Sequence, residues 1–284
     1  MSSVKIEWLF ESKALRIAPA ERPFLYTSGL IGPYYVNTHY LCGGENEAER
    51  ILSFIDQHQE QRIDFPKKIC AELDFVYAEH TIYREVIAGF CACIEAQVPL
   101  AQIDYVSGGQ RRDWFFAPLV ARELRKPCLY IYGDLEIRDA AGAAVSALSG
   151  VRVINVADLL TVASSYTTKW IPALRKVGAE LLWSVNGVDR NQGGRENLLQ
   201  GGLRDCFSLF SIDLKLFETA HKRGLIDQAQ FSLVREYLND PFTSMRNFLV
   251  AHPQYLDGLK AAQDEKTQAR VRLLVGDDLY KLRV

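Results

Sequence analysis

The chain has 284 residues, 48% apolar and 24% charged, with a net charge of −2. That length and apolar content suffice to bury a full core, and the balanced charge supplies no basic field, which disfavours a nucleic-acid partner. No stretch approaches the ~20 apolar residues of a membrane span and acids interrupt the apolar start, unlike a signal peptide, so a cytoplasmic protein with no membrane partner is expected. The cysteines, at 42, 70, 91, 93, 128 and 206, are scattered as reduced, buried thiols are. Cys91 and Cys93 have no further ligand at zinc-site spacing.

Residues 4–17 read as a short amphipathic helix, and 24–37 as strand–turn–strand, aromatic and broken by Gly29, Gly32 and Pro33. Helical periodicity follows over 45–60 and, in one longer run, over 70–95. The period then changes. A strand over 102–107 runs into Gly108 and Gly109, a helix over 114–125 stops at Pro127, and 128–132 is a strand. Residues 133–149 are polar and Ala-rich, with no assigned element. The β-branched run 151–156 is a strand, 165–177 a helix closed by Gly178, and 181–188 and 206–210 are strands. Strands alternating with helices predict a mostly parallel sheet with helices on both faces, an α/β fold. Residues 215–284 lose the strands and read as two or three helices. The expected division is a domain over 1–214, opening with a hood over 1–45, and a helical appendage over 215–284.

Ligands of open α/β sheets sit beyond the carboxyl ends of the strands. One such loop combines an acid at the strand end, Asp158, with Thr161, Val162, Ala163, Ser164 and Ser165 before a helix. Backbone N–H groups at a helix start, helped by hydroxyls, bind phosphate, and a carboxylate accepts hydrogen bonds from ribose hydroxyls. The same residues also suit an ordinary helix cap.

Three ordered blocks resemble the orotate phosphoribosyltransferases, a branch of the type I phosphoribosyltransferases. They are Ser28-Gly29 with Pro33-Tyr34-Tyr35-Val36-Asn37, the strand–loop–helix at 151–180, and Asp189-Arg190 with Gly194-Arg195-Glu196. Gly108-Gly109-Gln110-Arg111-Arg112 sits where that family has its pyrophosphate loop. The resemblance implies transfer of ribose 5-phosphate from phosphoribosyl pyrophosphate to a pyrimidine base, with Mg2+, in a cytoplasmic homodimer. It also assigns roles. Asp158 takes the ribose hydroxyls and the metal, and residues 161–165 take the 5-phosphate. Arg111 and Arg112 take the pyrophosphate, Tyr34, Tyr35 and Arg190 the base, and Arg138 serves as the cation of the catalytic loop.

The departures fall on the chemistry. Ala157 replaces the first of two adjacent acids, Ala163 replaces a glycine, Asp113 replaces a glycine of the pyrophosphate loop, and Thr27 replaces a lysine. The catalytic loop, rich in Lys and Arg in the family, here has Arg138 among Asp134, Glu136 and Asp139. Weak transferase activity and an inactive relative that binds a nucleotide or phosphosugar as a sensor or partner protein are both open. Chance similarity is a third reading.

Overall fold

A computed structural model describes residues 4–282. In chain order the elements are α1 (Glu7–Glu11), β1 (Leu15–Ile17), β2 (Phe24–Leu25), β3 (Ile31–Gly32), β4 (Tyr34–Val36), α2 (Glu45–His58), α3 (Phe65–Glu79), α4 (Thr81–Gln97), β5 (Tyr105–Gly109), α5 (Ala117–Glu123), β6 (Cys128–Ile131), β7 (Ile137–Asp139), β8 (Arg152–Leu160), α6 (Ile171–Lys176), β9 (Glu180–Asp189), α7 (Gly194–Gln200) and β10 (Asp205–Ser211). Five helices close the chain: α8 (Leu214–Lys222), α9 (Gln228–Asn239), α10 (Pro241–Ala251), α11 (Pro253–Ala261) and α12 (Glu265–Gly276).

The six-stranded sheet runs β10-β9-β8-β5-β6-β7. Every pair is parallel except β6 with β7, where Tyr130 faces Arg138 across an antiparallel edge. β8 is interior, as its apolar run requires: Val153, Ile154 and Val156 are fully buried. It runs four residues beyond the expected 151–156, because Leu159 and Leu160 still pair with Val188 and Asp189 of β9. Asp158 therefore lies inside the strand, two residues before its end. One core cluster joins Val153, Ala157 and Leu181 of the sheet to Ile171, Ala173 and Leu174 of α6. Helices α4 and α5 pack on the sheet through β9, β10 and β5, so helices cover both faces.

Contacts divide the chain into two units. The first runs to Ala14 and resumes over Thr38–Ile212; the second joins Leu15–Asn37 to the chain from Asp213 on. This splits the expected hood over 1–45, whose middle belongs with the C-terminal helices. Ile31 is buried in a cluster with Met245, Phe248, Leu249 and Leu274, and its N–H donates to the Tyr280 hydroxyl at 2.9 Å. Strands β2–β3 and β1–β4 pair only within this unit.

Other elements differ for local reasons. Instead of one helix over 4–17, α1 stops at Glu11, where the Ser12 hydroxyl donates to the Trp8 carbonyl at 2.6 Å and accepts from Ala14 N. The expected helix over 70–95 is two, because His80 is extended between α3 and α4. The C-terminal region has five helices rather than two or three. Asp213, Asp227, Asp240 and Asp264 each accept a backbone N–H as N-caps of α8, α9, α10 and α12, and Asp227 forms a capping box with Gln230. Among the described residues no helix is long and apolar enough to cross a membrane. All six cysteines are free thiols.

Candidate functional site

At the carboxyl edge of the sheet, a cleft of about 260 Å³ is lined by Arg111, Arg112, Asp113, Asp158, Thr161 and Ser164, among others. β8 delivers Asp158, and the loop behind it delivers Thr161, Ala163, Ser164 and Ser165. Val162 points elsewhere: it is 48% exposed and outside the lining, although Asn197 Nδ2 fixes its carbonyl at 3.0 Å. Among the described residues, no group accepts a hydrogen bond from the backbone N–H of any residue from 161 to 165. Five consecutive donors are thus unpaired, just before the π-helical turn Tyr166–Trp170. Ala163 holds a left-handed conformation, φ +61°. The backbone conformation a glycine would favour is kept although the glycine is absent.

The turn behind the loop is anchored from below. The Tyr166 hydroxyl, fully inside the core, accepts from Asn155 Nδ2 at 3.0 Å and meets Ser184 Oγ at 2.5 Å and Asn186 Oδ1 at 3.2 Å. Ser107 Oγ donates to Asn155 Oδ1 at 2.8 Å. The network crosses β5, β8 and β9, so the loop is seated on polar contacts satisfied in the middle of the sheet. Trp170 packs where a side chain on Gly109 would stand: a Cβ there would collide with its ring.

The expected pyrophosphate residues separate. Gln110 Oε1 accepts from Gly133 N at 2.6 Å, and the Gln110–Arg111 peptide is cis. Arg111 pairs with Asp56 of α2. Arg112 is exposed, lines the cleft and has no ion-pair partner among the described residues. Asp113, in the turn Arg112–Phe115, is 8% exposed; its Oδ2 accepts from Gly109 N at 2.9 Å and its Oδ1 from Asp158 N at 3.1 Å. Asp158 is equally buried. Burial pushes both carboxyls above the carboxylate range; the Asp158 carboxylate pushes Asp113 further, while the Arg112 guanidinium draws Asp158 back.

His39 lies in the buried turn Thr38–Cys42, with its ring against Tyr40 and Phe115. Its Nδ1 has no partner. Burial, then Arg112 and Arg111, lower its pKa to about 3, so it is neutral near pH 7.

Arg138 is not placed as a catalytic cation. It lies on β7, donates to the Gly142 carbonyl at 2.8 Å, pairs with Glu136 and is outside the cleft lining. The segment expected to be a catalytic loop is a β-hairpin closed by its own charges. Arg62 pairs with Asp134 at 2.8 Å and with Glu136, and lies 4.6 Å from the Tyr132 ring. Asp139 accepts from Ala141 N and Ala143 N, both at 2.9 Å. No sequence signal singles out Arg62, because its partners are about 70 residues away.

Of the expected base contacts, Tyr34 and Tyr35 belong to the second unit and Arg190 to the first. Tyr34 is 4% exposed and enclosed by Phe217 and Tyr237 within the second unit, which leaves it in a core rather than free to stack. Tyr35 lies against Phe24 and Tyr26 in that unit. Arg190 follows β9 with its N–H donating to the Leu160 carbonyl at 2.9 Å, its Nε buried without a partner and its side chain outside the cleft lining. No group of three or more His, Cys, Asp or Glu side chains among the described residues is arranged to hold a metal ion.

No protein-family model matches the chain, and no curated protein matches it in sequence. Solved structures do. The UMP synthase of Leishmania donovani is 19% identical with a TM-score of 0.56, over 82% of this chain and 41% of that one. The orotate phosphoribosyltransferase of Francisella tularensis is 14% identical with a TM-score of 0.52, over 82% of this chain and 96% of that one. The chain thus spans about two fifths of the synthase and nearly the whole of the transferase. These likenesses give the chain a type I phosphoribosyltransferase-like fold.

Proposed function

We propose that this phosphoribosyltransferase-like protein binds a ribose 5-phosphate group, free or within a nucleotide, with the phosphate on residues 161–165 and the ribose hydroxyls on Asp158. The run of five unpaired N–H donors beside that buried acid carries the reading. Such donors, converging at a helix start, bind phosphate without reorganising. Thr161, Ser164 and Ser165 add hydroxyls at the same wall of the cleft. A magnesium ion carried by a phosphorylated ligand needs only one or two protein carboxylates, and Asp158 is the residue that would share it.

A second reading, transfer of ribose 5-phosphate from phosphoribosyl pyrophosphate to a pyrimidine base such as orotate, is favoured by the fold and by Arg112, a cation in the cleft without an ion-pair partner. The hairpin opposes it. Positive groups aimed at developing charge supply much of the rate in such transfers, and Arg138 and Arg62 here pair with the hairpin's acids Glu136 and Asp134. Any transfer is therefore slow. A cytoplasmic homodimer belongs to the same proposal; Phe75 of α3, 62% exposed, is an apolar side chain a second copy would cover.

The test is calorimetry with ribose 5-phosphate on the wild type and on Asp158→Ala, beside an orotate-consumption assay with phosphoribosyl pyrophosphate and Mg2+. We expect binding that weakens about tenfold or more in the variant, as for loss of a charged hydrogen bond, and turnover far below ~1 per second, the low end of ordinary enzymes. No heat of binding at millimolar ligand refutes the binding reading. Turnover at ordinary enzyme rates promotes transfer above it.

A further inference from the structure

We propose that Asp113 makes the cleft selective for a singly phosphorylated ribose and excludes one that also carries a diphosphate at C1. The inference rests on the phosphate-loop reading and adds which ligand the rest of the cleft accepts.

Gly109 ends β5, and Asp158 lies near the end of the adjacent parallel strand β8. N–H groups at neighbouring strand ends are natural donors to an anion entering from the carboxyl edge. In this chain both are already taken. Asp113 stands four residues after Gly109, and its two carboxylate oxygens accept one N–H each, from Gly109 and from Asp158. The side chain is held at both oxygens and almost wholly buried, yet it lines the cleft. An acceptor group of the protein's own has the place an incoming anion would take.

The charges around it reinforce the exclusion. The charged side chains of the lining are Arg111, Arg112, Asp113 and Asp158. Arg111 is turned to Asp56, which leaves Arg112, close enough to Asp158 to stabilise its carboxylate, as the lining's cation without an ion pair among the described residues. The cleft is therefore polarised. The end at residues 161–165 presents only N–H and O–H groups, and the end at Asp113 and Asp158 presents carboxyl oxygens. A ribose 5-phosphate matches both ends, since its phosphate accepts at the first and its hydroxyls donate at the second. A diphosphate on C1 brings about three further negative charges toward the second, where carboxyl oxygens face it and the two strand-end N–H donors are already taken. The cleft is also at the small end of ligand pockets, which span roughly 300–1,000 Å³, in keeping with a phosphosugar.

The experiment measures dissociation constants of ribose 5-phosphate and of phosphoribosyl pyrophosphate, without and with Mg2+, for the wild type, Asp113→Gly and Asp113→Asn. The wild type is expected to prefer ribose 5-phosphate at least tenfold. Asp113→Gly, which frees both N–H groups, and Asp113→Asn, which keeps the shape but can accept from only one of them, are each expected to narrow that ratio at least tenfold by tightening the diphosphate alone. If the glycine variant does not fold, the wild-type ratio and the asparagine variant decide. Equal or tighter wild-type binding of the diphosphate overturns the inference and leaves the phosphate-loop reading intact. So does a ratio that neither variant moves. Binding of neither ligand removes both.

Discussion

Two loops leave the carboxyl edge of the same sheet and are satisfied in opposite ways. Behind β8, residues 161–165 have backbone N–H groups that no described residue accepts, on a base tied down by the Tyr166 network. Behind β6, the turn into β7 has its acids paired with Arg62 and Arg138, or capped by backbone N–H groups. Buried or clustered polar groups are normally satisfied. A loop that leaves five donors open can take an external acceptor, as proposed above, whereas a loop that closes on itself has its polar groups satisfied within the fold. The difference teaches that open donors and self-paired charges can occupy two loops of one fold, and on the proposed reading it separates phosphate recognition from the charge supply that transfer needs.

The largest expected effect breaks the comparison at its open side. Ser164 is exposed, and its side chain makes no contact the fold needs. Ser164→Glu places a carboxylate against the bound phosphate. Two unit charges 4 Å apart interact by about 4 kcal/mol at an effective dielectric of 20, so at least a hundredfold loss of ribose 5-phosphate affinity is expected, with an unchanged urea midpoint. Retained affinity would place the phosphate elsewhere.

Next comes the pH dependence of stability, which the buried His39 and the two buried cleft acids set with opposite signs. His39 has a folded pKa of about 3, against an ordinary value near 6.5. The unfolded chain binds more protons in that window, so this term weakens the fold as pH falls below 6.5, by up to about 1.4 kcal/mol per pH unit. Asp113 and Asp158 have raised pKa values. Here the folded chain binds more protons, and this term weakens the fold as pH rises above the carboxylate range. His39→Phe should therefore flatten the acid loss of stability and Asp158→Asn should steepen it, read from urea midpoints between pH 4 and 8. Slopes that move together would refute the assignment.

The closed side predicts a smaller effect. Arg62→Ala removes three partly exposed ion pairs, to Glu60, Asp134 and Glu136, and a contact with the Tyr132 ring. A loss of about 1–2 kcal/mol of stability is expected, with ribose 5-phosphate affinity unchanged. A fall in affinity matching the fall in stability would mean that the two loops are coupled after all.

What the sequence discloses follows from how local each signal is. The phosphate loop was legible because acid, small residues, hydroxyls and helix start are contiguous, and the central strand because its β-branched run admits few other readings. The closed hairpin was not: Asp134 and Glu136 read as repelling acids until the fold brings Arg62 to them from between α2 and α3. Asp113 stood out only as an odd residue after two glycines; that it accepts the N–H of Asp158, 45 residues on, is a fact of sheet pairing. Tyr34 misled because aromatic residues serve cores and ligand stacking alike, and its neighbours Phe217 and Tyr237 come from the far end of the chain. The helix count was recoverable, since four aspartate N-caps mark the starts of four of the five C-terminal helices.

The smallest expected effect tests whether the open loop is held in shape by its surroundings. Ala163 has φ +61°, a conformation that disfavours an L-residue by about 1–2 kcal/mol. Glycine removes that penalty but gives the unfolded chain more freedom, which offsets about 0.4–1 kcal/mol. Ala163→Gly should therefore stabilise the protein by no more than about 1 kcal/mol. Its effect on affinity is the sharper reading. The carbonyl of Ala163 accepts from Thr167 N at 3.1 Å, that of Val162 from Asn197, and the following turn is fixed through Tyr166. With those anchors in place the loop has its binding shape before any ligand arrives, and the glycine variant should bind ribose 5-phosphate within about twofold of the wild type. A gain of tenfold or more would instead mean that the alanine methyl stands in the phosphate's way, and that the unpaired N–H groups are not yet presented in the geometry a ligand requires.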